Sequence, residues 1–179
     1  MNKVSPEEMK GILQRHSLWL LASPGGERAM LAGCDLRGLD LSDAKLAYAN
    51  MAGCVLDNAN LARAVLSYAN LADATLRGVN AVEASFDRAN LSHAILARAD
   101  LTNASLEWAI CTQAAFTYAK MDGVRFYGIT LVGAWFIGTS AVGHMIEAAK
   151  YDLKNAQWTL DHIEEETERQ AKHAQLSQS

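Results

Sequence analysis

The segment 29–143 repeats every five residues, and this period constrains the fold more than any other feature of the sequence. Each unit has a medium or large apolar residue, most often Leu, at its centre and a small residue, most often Ala, two positions earlier. Twenty-three units follow one another without an insertion, and no residue of either series is charged. A chain with this pattern must hide two positions in every five from water.

A period of five fits neither a regular helix nor a single strand. On an α-helix, about 100° per residue would move successive apolar positions by about 140° per unit, so they would spiral over the whole surface. On a strand, an odd period would place them on alternate faces. A chain that turns a corner every five residues keeps both series inside. We therefore expect three outward positions per unit and a coil of four units.

Several units share a more specific pattern, in which Ala is followed by Asn or Asp and then by Leu. The units 59–63, 69–73, 89–93 and 99–103 show it. They are similar to the A(D/N)LXX motif of pentapeptide-repeat proteins, and the phase is kept over nearly two thirds of the chain. The resemblance implies an all-β solenoid, a right-handed quadrilateral β-helix, which 23 units would extend to about six coils.

Residues 1–28 are predicted to form a capping α-helix and a linker before the β-helix of residues 29–143. Ser5 fits the N-cap, Pro6 the first helical position and Glu8 the partner residue of a capping box. Val4 and Met9 can form a hydrophobic staple. Because the first coil of a solenoid has an open apolar end, we expect this helix to cover it.

Residues 144–179 are predicted to form a second α-helix followed by a frayed tail. Apolar residues alternate steps of three and four over about three heptads: Ile146, Ala149, Leu153, Ala156, Leu160 and Ile163. This helix can fold back over the last coil, or it can pair with a second copy, as the C-termini of several pentapeptide-repeat proteins do. We expect a homodimer, and both roles are compatible.

Residues 20 apart should stack in neighbouring coils, which divides the outward positions into four faces. One face should carry a side-chain amide ladder made by Asn50, Asn70 and Asn90. Another is the most acidic, with a net charge of −3, and carries Asp40, Asp43, Glu83, Asp100 and Asp122 together with Arg63 and Lys120.

The candidate binding residues form one outward column: Tyr48, Tyr68, Arg88 and Trp108. Tyr, Trp and Arg dominate binding hot spots, so this column can be a stripe that binds a protein partner. Alternatively, the side chains stack on one another across coils, with Arg88 in a cation–π contact, and serve stability alone. The sequence favours the stacking interpretation and leaves the binding one open.

The sequence contains no constellation typical of an enzyme, and we expect no catalytic residues, cofactor or metal. The five His are scattered, and His16, beside Trp19 in the first predicted helix, is expected to be a half-buried capping residue. Cys34, Cys54 and Cys111 have no metal or redox spacing. Cys34 and Cys54 should fall in one inward column of adjacent coils, within disulfide range, but free thiols are expected because parallel side chains suit packing and the compartment is expected to be reducing.

Charge and hydropathy predict a cytoplasmic protein that contacts neither nucleic acid nor membrane directly. The formal net charge is −4, and segment 29–143 carries eight basic against ten acidic residues. The apolar run 18–22 is too short for a membrane span or a signal core.

Two main functions follow from these observations. The first is a non-enzymatic interaction or scaffold module, a rigid rod that presents flat faces to an unidentified protein partner, either alone or as part of a larger assembly. The alternative, implied by the resemblance, is a DNA mimic that protects a topoisomerase by occupying the DNA-binding saddle of gyrase. A mimic requires a strongly negative body, and the repeats carry only −2.

Overall fold

The computed structural model describes residues 2–140, in which an α-helix precedes a four-sided solenoid. The helix α1 spans Pro6–Leu20. The sides of the solenoid pair through isolated parallel bridges, one residue from each side of a coil, and extended strands are not formed within the described range. Residues 141–179, which include the predicted heptad segment, lie outside the described residues.

The bridges between coils join residues that are 20 positions apart, so four five-residue units complete one coil, as the period predicts. Four columns of bridges result, one on each side. They run through residues 30, 50, 70, 90, 110 and 130; 35, 55, 75, 95, 115 and 135; 40, 60, 80, 100 and 120; and 45, 65, 85, 105 and 125.

Hydrogen bonds between coils use three of the five N–H groups of each unit. The N–H of Leu31 donates to the carbonyl of Asn50 at 2.6 Å, and that of Gly33 donates to Ala52 at 2.8 Å. In the opposite direction, the N–H of Asn50 donates to Ala29 at 2.9 Å. Each coil thus provides hydrogen-bond partners for the backbone N–H and C=O groups of its neighbours, so that buried backbone groups are paired.

Each corner is a tight turn whose third residue has positive φ. In one unit, the Ala64 N–H donates to the Leu61 carbonyl at 2.9 Å, and Arg63 between them has φ 57°. The same positive φ recurs in every unit from Gly33 to Gly138, as type II turns require. Most of these residues are not Gly, so pairing between coils must offset about 1 kcal/mol of strain at each one.

The Asn or Asp of the repeated motif satisfies the fifth N–H group of its unit. The side-chain oxygen of Asn70 accepts the N–H of Ala72 at 3.2 Å, and Asn90 accepts that of Ser92 at 3.0 Å. Every described unit with Asp or Asn at this position makes the same bond. The motif is therefore explained by backbone satisfaction.

The amide ladder expected at Asn50, Asn70 and Asn90 is wrong, since no hydrogen bond joins the three amides, whose oxygens accept from the backbone two residues ahead. A ladder forms instead on the acidic face. Asn60 donates to the Asp40 carboxylate at 2.9 Å, and Asn80 donates to Asn60 at 3.0 Å. The first residue of the Asn60 and Asn80 column is Asp40, whose carboxylate only accepts hydrogen bonds. The first residue of the Asn50, Asn70 and Asn90 column is Met30, which offers no comparable acceptor.

The core is a continuous apolar column inside the solenoid, and the predicted inward pair is buried in every fully described unit except that of Cys34, whose side chain is only half-buried. Central residues such as Leu61, Leu71 and Phe86 are fully buried, and the small residues two positions earlier are buried beside them. Near the end of the described solenoid, Phe116 and Phe136 stack with ring centroids 5.0 Å apart.

The N-terminal segment begins as the sequence predicts. Ser5 is the N-cap of α1, Glu8 completes the capping box, and both staple residues, Val4 and Met9, are buried. The segment before α1 adds an unpredicted contact: residues 2–4 lie beside the first coil, where the Val4 N–H donates to the Asp35 carbonyl at 3.1 Å.

His16 joins α1 to the first coil and is fully buried rather than half-buried as expected. Its Nδ1 accepts the N–H of Ala29 at 3.1 Å, so Nε2 carries the proton and donates to the Ala47 carbonyl at 3.0 Å. Burial lowers the pKa of His16, and the nearby Arg28 acts in the same direction. The imidazole is therefore held neutral.

No helix among the described residues is long and apolar enough to cross a membrane.

Candidate interaction surface

The four predicted column residues come together on one edge of the solenoid and are joined there by two further aromatic side chains. We call this edge the aromatic ridge. It consists of Trp19, Tyr48, Tyr68, Arg88, Trp108 and Tyr127.

The centre of the aromatic ridge is a continuous stack. The rings of Tyr48 and Tyr68 are nearly parallel, with centroids 4.8 Å apart. The guanidinium carbon of Arg88 lies 5.7 Å from the Tyr68 centroid and 5.9 Å from that of Trp108, so two rings flank one cation. This is the arrangement that the stacking interpretation predicts; the binding interpretation stays a prediction.

Both ends of the aromatic ridge contain a residue that sequence reasoning missed. Trp19, at the end of α1, meets Tyr48 edge-on at 6.4 Å. Tyr127 meets Trp108 edge-on at 5.1 Å and lies one position before the column, because Gly128 occupies the column position itself. The five-residue period could not place Trp19 or Tyr127 on the ridge. Tyr127 could still have been suggested by its position directly before Gly128, the residue at the column position.

Gly128 lies directly beneath Trp108. A Cβ atom at this position would come within 2.5 Å of the indole ring, and the backbone φ is +67°. The same relation repeats at the next corner, where Gly138 lies beneath Tyr118. Glycine here allows the aromatic side chain of one coil to lie flat on the corner of the next.

Replacing Gly128 with Ala is expected to lower the free energy of unfolding by about 2–3 kcal/mol, because it adds a ring clash to the strain of positive φ. The matched control is Gly53→Ala, where φ is +61° and nothing lies within 4 Å of the new Cβ. This control should cost about 1 kcal/mol. Urea unfolding measures both, and equal losses would contradict a packed contact between Trp108 and Gly128.

Two acidic residues, Asp87 and Glu107, directly precede the ridge residues Arg88 and Trp108 in the sequence. Both carboxylates are engaged by groups of the protein itself. The Asp87 carboxylate accepts the Ser85 hydroxyl at 2.9 Å, the Ser105 hydroxyl, and the Glu107 N–H at 3.2 Å. Glu107 in turn lies 3.4 Å from Arg125. The carboxylates beside the ridge are thus engaged by groups other than Arg88.

The acidic face is partly neutralised by ion pairs between coils. Arg63 donates two hydrogen bonds to Asp43, at 2.8 and 2.7 Å, and these lower the pKa of that carboxyl. Lys120 lies 3.2 Å from Asp100. On the neighbouring face, hydrogen bonds from Arg37 lower the pKa of Asp35 to about 2. These pairs make the surface less anionic than its count of acids indicates.

The described residues contain no arrangement typical of a catalytic or metal centre. Concave surface beside α1 includes a groove whose titratable groups are Lys10 and Asp40, and Asp40 is already bonded to Ser42 and Asn60. Further grooves beside α1 contain charged residues, of which Glu8 is bonded to Ser5 and Arg15 pairs with Glu27. Groups of three or more metal-ligating side chains do not occur in residues 2–140. Burial raises the pKa of the Cys54 thiol to about 12, which disfavours the reactive thiolate.

Comparison with known families gives a direct match. A family model described as pentapeptide repeats matches in 8 copies, at residues 27–61, 45–80, 69–107 and 84–116. Together these ranges run without a gap from residue 27 to residue 116, half of the chain. No curated protein matches the sequence.

Solved structures of other repeat proteins are similar to the chain. The pentapeptide repeat protein Rfr23 from the cyanobacterium Cyanothece 51142 is 25% identical with a TM-score of 0.60, over 73% of this chain and 97% of Rfr23. A pentapeptide repeat protein of the Arabidopsis thaliana thylakoid lumen is 29% identical, over 67% of this chain and 77% of that one, with a TM-score of 0.32. The plasmid-mediated fluoroquinolone resistance protein QnrB1 is 18% identical, over 63% and 73%, with a TM-score of 0.34. Only the likeness to Rfr23, among these three, is close enough to support a shared fold.

Proposed function

The chain belongs to the pentapeptide-repeat family, and from this premise we propose that it is a non-enzymatic interaction module that contacts a protein partner through the aromatic ridge. Its four-sided solenoid is the right-handed quadrilateral β-helix of that family. The observation that carries the proposal is the ridge itself, a row of half-exposed aromatic side chains with an arginine at its centre.

The aromatic ridge has the composition and the rigidity of a binding hot spot. Tyr48 and Tyr68 are each 45% exposed, and Trp108 is 49% exposed, so stacking leaves a large part of each side chain open to solvent. Tyr, Trp and Arg are the residues enriched at hot spots. Because the stack fixes their rotamers before binding, little side-chain entropy would be lost in a complex.

The two ends of the rod have separate proposed roles. We propose that α1 closes the first coil, since Val4, Met9 and His16 are buried against it. The heptad residues of 144–163 are proposed to cover the last of about six coils, to form a homodimer, or both. Sedimentation velocity of the full chain measures the oligomeric state directly.

Replacing Tyr68 and Trp108 with Ser is expected to abolish capture of the partner from a lysate of the native host, measured by quantitative mass spectrometry. The matched control is Tyr118→Ser, which removes an aromatic residue of similar exposure at the same turn position of another corner. Thermal unfolding is followed in parallel. Unchanged capture with a lowered melting temperature would assign the ridge to stability alone and would overturn the proposal.

The alternative function, a topoisomerase-protecting DNA mimic, ranks second. Its required negative surface is interrupted on the acidic face by Arg63 and Lys120, each paired with an acid of a neighbouring coil. A gyrase supercoiling assay with a fluoroquinolone tests it: protection or inhibition at micromolar protein would favour the mimic over the interaction module.

A further inference from the structure

We propose that the aromatic ridge binds a carboxylate-bearing segment of its partner in polyproline II conformation, with Arg88 pairing with the carboxylate. This inference rests on the proposed interaction function and names the chemistry of the partner. Three independent features support it: the unpaired cation at the centre of the ridge, the row of amide donors beside it, and the spacing of the coils.

Arg88 is a cation without an acidic partner in residues 2–140. Its guanidinium lies between Tyr68 and Trp108, and it makes neither an ion pair nor a side-chain hydrogen bond within that range. Most other bases of the solenoid do have an acidic partner there: Arg37, Arg63, Arg77, Lys120 and Arg125.

The flanking rings fix the guanidinium while leaving its N–H groups available at the edge of the stack. A guanidinium presents a planar fork that matches a carboxylate through two parallel hydrogen bonds. Orientation by Tyr68 and Trp108 removes part of the entropy cost of forming them. Arg88 is therefore preorganised as an anion-binding group.

Two carboxylates near Arg88 weaken the attraction of its guanidinium for any anion. Asp87 is its neighbour in sequence, and Glu107 lies one coil beyond Asp87. Both carboxylates are held by other partners, yet both still repel an incoming anion.

The next outward column after the ridge supplies donors for a peptide backbone. Asn70 and Asn90 use their side-chain oxygens to accept from Ala72 and Ser92. Their NH2 groups donate to no acceptor in the described part of the chain. Because a polyproline II segment has no internal hydrogen bonds, its carbonyls are free to accept from such donors.

The coil spacing selects the conformation of the segment. Coils paired by parallel bridges lie about 4.8 Å apart, so alternate members of the ridge are about 9.6 Å apart. Side chains return to the same side every three residues in polyproline II, a span of about 9.3 Å, but every two residues in an extended strand, a span of about 6.6 Å. Three strand residues span a similar length, about 9.9 Å, but their end side chains point to opposite sides. When the carboxylate of the bound segment pairs with Arg88, the segment residues three positions before and after the carboxylate residue reach Tyr48 and Tyr127. Proline there would pack against an aromatic ring.

The probe is a fluorescein-labelled peptide, Pro-Ala-Pro-Glu-Pro-Ala-Pro, titrated with the full chain and followed by fluorescence anisotropy. We expect saturable binding that weakens about tenfold when Gln replaces the Glu of the peptide. Arg88→Lys, which keeps the charge but loses the fork, should weaken binding by a similar factor. Arg98→Lys is the matched control, since Arg98 occupies the same turn position of another corner and should leave binding unchanged.

Circular dichroism melting establishes that each variant is folded. Equal affinity for the Glu and Gln peptides, an Arg88→Lys variant that binds normally, or no binding at all would overturn the inference. Tighter binding of a peptide with phosphoserine in place of Glu would also overturn it, in favour of a phosphate ligand. If capture of the host partner still depends on Tyr68 and Trp108 while these peptides do not bind, the proposed interaction function is retained. Only the proposed carboxylate-bearing polyproline II segment is then rejected.

Discussion

Replacing Leu71 with Asp is expected to eliminate the folded solenoid. Leu71 is fully buried at the centre of its unit, in the same inward column as Met51 and Leu91. An ionised carboxylate there would have neither water nor a partner, and the cost of burying it exceeds the marginal stability of a typical domain, about 5–15 kcal/mol, unless it takes up a proton. Far-ultraviolet circular dichroism and a urea titration measure the loss.

Two companion variants show that the loss arises from burial and not from the new charge. Leu71→Ala should destabilise by about 2–5 kcal/mol and leave a folded protein, because it creates only a cavity. Ala62→Asp places the same carboxylate at an outward position beside Arg63 and should change stability by less than about 1 kcal/mol. A folded Leu71→Asp variant with a stability near that of Ala62→Asp would contradict the inward assignment of the central series.

The core and the corners were predictable from the five-residue period alone. A strict period leaves one solution in which all apolar positions are buried, and the burial of Leu61 and Leu71 follows from it. The capping box of Ser5 and Glu8 was equally predictable, because it depends on residues three positions apart in the sequence. Local signals of this kind need no knowledge of the tertiary structure.

Contacts between the helix and the first coil could not be predicted, because nothing in the period extends before residue 29. The pairing of residues 2–4 with Asp35 joins segments that are far apart in the sequence and have no common pattern. The contact of Trp19 with Tyr48 depends on where α1 crosses the coil. The amide ladder of Asn60 and Asn80 was missed for a different reason, since it depends on the Asp40 carboxylate that begins its column and not on the number of stacked Asn residues.

The candidate site was predictable as a column, and stacking along it, with Arg88 in a cation–π contact, was the favoured interpretation. The 20-residue spacing placed Tyr48, Tyr68, Arg88 and Trp108 on one edge. It could not show that Arg88 lies between two rings without an acidic partner in the described range, because that depends on rotamers and on which groups engage Asp87. The proposed binding chemistry therefore comes from side-chain geometry.

His16→Phe is expected to lower the free energy of unfolding by about 3 kcal/mol and to remove a pH dependence that the native chain shows. Phenylalanine keeps an aromatic ring, although a somewhat larger one, and leaves the Ala29 N–H and the Ala47 carbonyl buried without their partner. Each such group costs about 1–3 kcal/mol. Urea unfolding at pH 7 measures this loss, and His93→Phe, which replaces a His on the surface of the solenoid, should show almost none.

The pH dependence has a defined sign. Burial and the charge of Arg28 lower the pKa of His16 in the folded state, whereas in the unfolded chain it titrates near its ordinary value of about 6.5. Below that pH the unfolded state binds a proton that the folded state excludes, so stability falls as the pH drops from about 7 towards the lowered pKa. The carboxyl of Asp35, with a pKa of about 2, titrates far below this window. Urea midpoints at pH 7 and pH 5.5 should therefore differ more for the native chain than for His16→Phe, and an identical difference in both would show that His16 is not held neutral.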